Sequence, residues 1–496
     1  MKTLNLLAFD IGASNGRGII GAFDGKKIEL IPVGNFENNF VSQGAMGYWD
    51  YENILSNLKA CFVNAKKEGL IPDCFGIDTW GVDYGLLDKD HKLIENPRAY
   101  RISTDEEMLA AWQKISKREL FDITGLAALN FNTVYQLYRR VLENDPALQQ
   151  AETLLFTPDL LGYGLSGEIK SEYTMASTSG LLDVKTGNWS KRILNALDIP
   201  EKIFLPLDKP GTLRGSLKAD LASEMGLPRV AYAAVGGHDT ASAVAAIPGR
   251  GDFAFCSSGT WSLFGVESDT PVLSDFVYEN SFSNEGTVQG GFRPLKNIMG
   301  LWLVQECRRE WTKETGKKLD WEYIKAEAVK AEPFRSIIDP DYPAFYKAGN
   351  MREKIRDYCQ KTGQPQPETI GQFARACYES LALKYRWAVE RLGEMKGKPL
   401  SALNITGGGI QNLQLNQMAA DSTGLVTTVG PIEGAAMGNA LMQAVALGEI
   451  SDLSQAREVV RASVETQVYE PNHTQAWDDA YGRMMDNAEK MKEDIG

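Results

Sequence analysis

Histidine is scarce: His91, His238 and His473 are the only three in 496 residues, and they do not cluster. The six cysteines, Cys61, Cys74, Cys256, Cys307, Cys359 and Cys377, contain no Cys-x-x-Cys pair. These shortages exclude a structural zinc site of the usual spacing. Reduced, mostly buried thiols are expected. One pair could still bond: Cys359 and Cys377 flank Thr362–Thr369, which reads as the turn between two antiparallel helices. No apolar run reaches the roughly 18 residues of a membrane span. The opening run Leu4–Phe9 is cut off by Asp10, too early for a signal peptide. A cytoplasmic chain without a membrane partner is therefore expected. Lys and Arg form no cluster and the formal net charge is −13, which argues against a nucleic-acid partner. An anionic substrate would need a local cation or a set of backbone amides. No feature points to a particular oligomeric state.

What the chain does have is globular: 43% hydrophobic and 24% charged residues, with no low-complexity tract. Its length exceeds what one core usually supports, so two domains are expected. Ile247–Gly251, rich in Pro and Gly, is the expected boundary, dividing the chain into 1–248 and 249–496.

The stretch Ala233–Val244 organises the reading. An apolar strand runs into Gly236-Gly237, then His238-Asp239, then a small-residue helix that Thr240 or Ser242 could cap. Asp239 thus stands at a strand–helix junction, where α/β folds place chemistry. The same pattern also suits an ordinary capping Asp. Earlier, Leu4–Asp10 reads as a buried strand, Ile11–Gly16 as a glycine turn and Arg17–Phe23 as a second strand. A strand follows the glycines, so neither a dinucleotide fingerprint nor a Walker loop is present. Such a turn is commonly a plain hairpin. It can also aim amides from Gly12 and Ala13 onward at a phosphate, with Ser14 and Asn15 as further donors. Thr79–Gly85 sets Trp80, the open backbone of Gly81 and the Asp83 carboxylate side by side, which suits a polyol or simply a buried Trp at a turn.

The opening pattern recurs half a chain later, as Asp252–Cys256, Ser257–Thr260 and Trp261–Val266, and suggests a duplicated domain. Lys296–Glu306 reads as a buried helix with Asn297 and Gln305 near its ends. Leu403–Thr406 enters Gly407-Gly408-Gly409, where a base or phosphate could rest on bare backbone, and Ile410 opens a helix. Gly430–Ala440 reads as a small-residue helix made for close packing.

These motifs together carry a resemblance. Asp10–Arg17, Gly76–Asp83, Phe131-Asn132-Thr133, His238–Ala243, Ser257–Leu263, Lys296–Leu303 and Gly407–Asn412, in this order, resemble the FGGY family of carbohydrate kinases, in the actin/hexokinase/Hsp70 superfamily. Asn15 stands where the family usually has Ser, and Arg101 is followed by Ile102 where it usually has Asp. The resemblance implies an α/β protein of two ribonuclease-H-like (actin-like ATPase) domains with a ligand cleft between them. It implies a small-molecule ketose and ATP as partners, with Mg²⁺. Ala13, Ser14, Asn15, Gly16 and Arg17 would form the first phosphate loop, Gly259 and Thr260 the second. Gly408 and Gly409 would lie on the adenosine, with Gln305 near the nucleotide. Gly81, Asp83, His238, Asp239, Thr240 and Asn297 would hold the sugar, Asp239 would be the general base, and Asp10 would orient the metal through water. The implied reaction is phosphorylation of L-rhamnulose to its 1-phosphate in L-rhamnose catabolism, with L-fuculose or a pentulose as alternative ketoses. A glycine-rich dehydrogenase is disfavoured by the strands after the glycine turns. A chaperone or filament protein of the superfamily would hydrolyse ATP without a sugar.

Overall fold

A computed structural model describes residues 3–38, 40–43, 46–472 and 474–493; His473 lies outside them. The chain forms two compact units. One comprises Met1–Ala246, Glu267–Pro294 and Gly434–Val464; the other comprises Ile247–Val266, Leu295–Glu433 and Glu465–Gly496. The units are thus not the continuous halves 1–248 and 249–496, because two later segments return to the first. The reason is legible in the helix Gly434–Ala446, whose small face belongs to the first unit's core. Its Ala436, Ala440 and Ala444 are buried with Leu6, Ala8 and Ile19. Gln443 Nε2 also donates to the Leu7 carbonyl at 3.0 Å.

The first unit is built on a six-stranded sheet in the order Thr212–Ser216, Ala231–Ala234, Cys74–Thr79, Leu4–Ile11, Asn15–Phe23, Ile28–Glu37. Leu4–Ile11 and Cys74–Thr79 run parallel, as do Cys74–Thr79 and Ala231–Ala234. The first three strands of the chain pair antiparallel in succession. Asp24 Oδ1 closes the Asp24–Lys27 turn by accepting from the Lys26 and Lys27 amides at 2.8 and 2.7 Å. The helix Tyr51–Lys67 starts on Asp50, which accepts from the Asn53 amide, and buries Ile54, Leu55, Leu58, Cys61 and Phe62 along one face.

In the second unit the strands follow the order Phe292–Met299, Trp261–Gly265, Phe253–Ser258, Ala402–Thr406, Thr427–Val429, Gln467–Tyr469. Phe253–Ser258 has an antiparallel hairpin mate on one side and a parallel neighbour on the other. Leu4–Ile11 has the same two kinds of neighbour in the first unit, so the repeat seen in sequence is a repeat of topology. A 27-residue helix, Ile370–Lys396, starts with a capping box of Thr369 and Gln372.

Three expectations are corrected. Lys296–Glu306 is not one helix: it is the end of the strand Phe292–Met299, then the helix Trp302–Thr315. The strand persists because it pairs with Trp261–Gly265, Asn297 opposite Leu263. Neither Thr240 nor Ser242 caps the helix Asp239–Ala245; His238 occupies that position without a side-chain bond, and Ser242 Oγ donates to the Gly236 carbonyl at 2.7 Å. Cys359 and Cys377 form no disulfide; all six thiols are free and buried. Cys377 lies against the Cys307 thiol, and burial pushes the Cys359 thiol up to about 12. Among the described residues no helix is long and apolar enough to cross a membrane.

Candidate active site

Three parallel strands of the first unit end at one place. The register sets Asp10 opposite Asp78 and Ile11 opposite Thr79. The Thr79 amide in turn donates to the Gly237 carbonyl at 2.8 Å. The carboxyl ends of a parallel sheet are the usual ligand position of an open α/β fold. Here they gather Asp10, Asp78 and the Gly236–Asp239 turn. Asp10 Oδ2 accepts from Arg17 Nη2 at 2.9 Å. Asp78 is fully buried. Its Oδ2 accepts from Asn439 Nδ2 at 2.6 Å, and its Oδ1 has no hydrogen-bond partner. Burial, then the nearby Asp10 charge, hold the Asp78 carboxyl well above the usual carboxylate range.

Asp239 differs from its neighbours in being open, with 34% of its side chain exposed. Its Oδ1 accepts from Thr240 Oγ1 at 3.1 Å and lies 3.4 Å from His238 Nε2. Gly81 borders the same ring: a Cβ added there would sit 3.3 Å from His238 Nε2 and 3.4 Å from Thr178 Oγ1. The structure therefore brings Gly81, His238, Asp239 and Thr240 together. From beneath, Glu172 Oε2 accepts from the Gly237 amide at 3.0 Å and from Thr174 Oγ1 at 2.7 Å. Burial pushes Glu172 up to about 7 against these bonds.

Asp83 does not line a ligand surface. It is fully buried. Its Oδ2 accepts from both indoles, Trp49 at 2.6 Å and Trp80 at 2.9 Å, and from the Tyr100 amide at 3.2 Å. Gln136 takes Oδ1 at 3.1 Å. Burial raises Asp83 to about 6. The carboxylate ties the Trp80–Asp83 turn to its surroundings, and the two indoles pack at 4.3 Å between centroids. The expected ring-and-carboxylate face for a polyol is an internal cluster.

In the first glycine turn, the Gly12 amide donates to the Asn15 carbonyl at 2.8 Å and Asn38 Nδ2 caps the Gly12 carbonyl at 2.9 Å. Ser14 and Asn15 are exposed, Ala13 and Arg17 half-buried. Gly16 is buried, and a Cβ there would meet the Phe36 ring at 2.3 Å. Its missing side chain makes room for that ring.

In the second unit, Ser257 pairs with Thr406, so the triple glycine begins beside Ser258. Gly407 has φ 91° and its Cβ would lie 2.8 Å from the Ser258 carbonyl oxygen; a Cβ on Gly409 would lie 2.2 Å from Ser258 Oγ. Close packing accounts for these two. Gly408 is exposed, with nothing within 4 Å of an added Cβ. The neighbouring hairpin is held by Leu301 and Trp302 amides on the Gly259 and Thr260 carbonyls. Thr260 Oγ1 donates to Gln305 Oε1 at 3.1 Å. Gly259, Thr260, Gln305, Gly408 and Gly409 thus share one end of this unit's strands. Asn297 stands on the strand beside them, with a buried Oδ1 that has no partner.

Several participants escaped the sequence reading. Asp78 lay within a quoted motif, and a second carboxylate at the end of a second buried strand was the available signal. Asn439 carried none, since it arrives from a segment distant in sequence.

Among the described residues, no group of three or more His, Cys, Asp or Glu side chains is placed to hold a metal ion. Asp10 and Asp78 fit a water-rich hard cation better than a dedicated cage. They offer carboxylate oxygens only, one of them buried without a partner, and Mg²⁺ keeps several waters and needs few carboxylates.

Two family models match the chain: the N-terminal domain of the FGGY family of carbohydrate kinases over residues 5–246, and its C-terminal domain over 254–447. The chain belongs to the FGGY family of carbohydrate kinases. It is 40% identical over 486 residues to a rhamnulokinase from Bacteroides thetaiotaomicron, covering 96% of this chain and 98% of that one. To a rhamnulokinase from Bacillus subtilis it is 37% identical over 466 residues, covering 94% and 95%. Its fold resembles that of a ligand-bound xylulose kinase from Lactobacillus acidophilus, with TM-score 0.79, 16% identity and 96% of both chains covered. A Plasmodium falciparum glycerol kinase with ADP gives TM-score 0.77 at 16% identity, with 99% and 98% covered.

Proposed function

We propose that this kinase transfers the γ-phosphoryl group of ATP to O1 of L-rhamnulose, giving L-rhamnulose 1-phosphate and ADP. The full-length likeness to rhamnulokinases supports the substrate. The observation that carries the chemistry is the open carboxylate of Asp239 beside His238 and Gly81, where Asp10, Asp78 and Asp83 are buried. His238 Nε2, Thr240 and the Gly81 backbone hold the ketose. Asp239 takes the proton of the O1 hydroxyl as that oxygen bonds to the γ-phosphorus and the bond to the ADP oxygen breaks. Ala13–Arg17 and Gly259–Thr260 present amides and hydroxyls to the phosphates, and Gly408 and Gly409 support the adenosine beside Gln305. Asp10 and Asp78 would hold a hydrated Mg²⁺, which would supply neutralisation of phosphate charge. Phosphoryl transfer needs positioning and charge neutralisation more than covalent chemistry, which suits so spare a set of groups.

A ketose panel with ATP tests the substrate. kcat/KM for L-rhamnulose should exceed that for L-fuculose, L-ribulose and D-xylulose by about tenfold or more, because a site built around particular hydroxyls rejects epimers that leave its polar groups unpaired. A better rate with another ketose reassigns the substrate, and ATP hydrolysis indifferent to every ketose removes the sugar-kinase reading.

The adenosine site has its own test. Gly408→Val puts branched carbons on a surface that now meets nothing. KM for ATP should rise far more than KM for the ketose. A defect confined to the ketose would move the adenosine elsewhere.

A further inference from the structure

His238 has two faces. Nε2 points toward Asp239 and Gly81, while Nδ1 is turned inward, 2.6 Å from Arg293 Nη2 and 3.2 Å from Glu285 Oε2. The same Arg293 nitrogen donates to Glu285 Oε2 at 2.7 Å. Arg293 is completely buried, and its Nε and Nη1 have no partners. A buried guanidinium left so poorly bonded is costly to keep, and the two bonds it does make are to Glu285 and His238.

The geometry assigns the ring's proton. A guanidinium offers only N–H groups and does not lose its proton. An N–H on Nδ1 would set two donors face to face at 2.6 Å. Sharing that N–H with Glu285 Oε2, 3.2 Å away, would still leave two donor nitrogens 2.6 Å apart. Nδ1 therefore offers its lone pair, and the neutral ring carries its proton on Nε2. We propose that Arg293 and Glu285 are positioning residues: Arg293 donates to Nδ1 of His238, Glu285 balances its charge, and His238 presents Nε2–H to an oxygen of the ketose beside Asp239. This rests on the sugar-kinase reading above. It explains a buried ion pair behind a ring that touches the site, and it gives His238 the role of a fixed donor. A ring free to exchange tautomers would present a lone pair to the same oxygen part of the time.

Protein labelled with ¹⁵N-histidine tests this directly, since three histidines give a readable spectrum and His238→Gln identifies the signals of His238. In the unliganded enzyme near neutral pH, Nε2 should show the protonated, pyrrole-like signal and Nδ1 the unprotonated one. The reverse pattern, or protonation of both, overturns the proposal. Arg293→Met/Glu285→Gln removes both charges together. It should mix the tautomers and raise KM for the ketose about tenfold, the scale of one positioned hydrogen bond. KM for ATP should stay within about twofold, well inside that scale. Arg293→Lys keeps the charge and a donor, and should keep the wild-type tautomer. A double variant that only melts earlier, with tautomer and ketose KM unchanged, reduces the pair to a structural role and overturns the proposal. If the double variant does not fold, the wild-type spectrum and Arg293→Lys still decide. Should the sugar-kinase reading fail, the ketose panel will show it while the tautomer stays as assigned.

Discussion

Asp239→Asn should lower kcat by at least about a hundredfold, the low end of what removing a general base costs, with KM for ATP nearly unchanged. The substitution keeps the shape of the side chain, and its amide oxygen can still accept from Thr240 Oγ1, 3.1 Å away in the wild type. What is lost is a group able to take the proton of the attacking hydroxyl. Ketose binding should weaken only modestly, so the defect should appear in kcat rather than in KM. The loose transition state of phosphoryl transfer delays departure of that proton and works toward a smaller effect. The size of the loss is therefore informative. A kcat within about tenfold of wild type, short of the general-base range, would make Asp239 a binding residue. Asp83 could not replace it as the base, because it is buried under two indoles that already occupy its oxygen. Steady-state kinetics over both substrates, on protein that melts like wild type, separates these outcomes.

The parts of this site that were legible in sequence share one property: they are local. The strand Leu4–Ile11, its glycine turn and the strand after it are set by apolar runs and glycine positions within twenty residues. The same is true of Gly236–Asp239 after Ala231–Ala234. What escaped is set by pairing between distant segments. Nothing in Lys296–Met299 marks a strand until Trp261–Gly265 lies beside it. Asp83 looked like a ligand-facing carboxylate because Trp49, 34 residues earlier, and Gln136, 53 residues later, are invisible from its own turn. The glycines divide the same way. Gly408 reads correctly as open backbone, whereas Gly16 owes its identity to Phe36 and Gly409 to Ser258. A glycine motif therefore marks close approach, and only the fold tells whether a ligand or a neighbour makes that approach.

Gly438→Ala should be among the most damaging single methyl additions in this chain, and it should act on the active site as well as on stability. In an exposed helix the change would gain about 0.5–1 kcal/mol. Here the added Cβ would fall 1.8 Å from the Ser242 carbonyl oxygen and 2.7 Å from its carbon. Both are backbone atoms, so no side-chain rotation relieves the overlap. The helices Gly434–Ala446 and Asp239–Ala245 must move apart, and overpacking of this kind typically costs about 1–3 kcal/mol or more. Tm should fall by about 3 °C or more. Gly482→Ala is the control: it also lies within a helix, Gln475–Glu493, but its Cβ would meet nothing within 4 Å, and its Tm should hold or rise. Ser242 stands three residues after Asp239 on the same short helix, so a displacement of that helix carries the proposed base with it. A shift near 1 Å can cost on the order of a hundredfold in rate, so kcat of Gly438→Ala should fall even at temperatures where the protein remains folded. An unchanged Tm with full activity would mean that the two helices can separate freely, and that the small-residue face of Gly434–Ala446 does not set the position of Asp239.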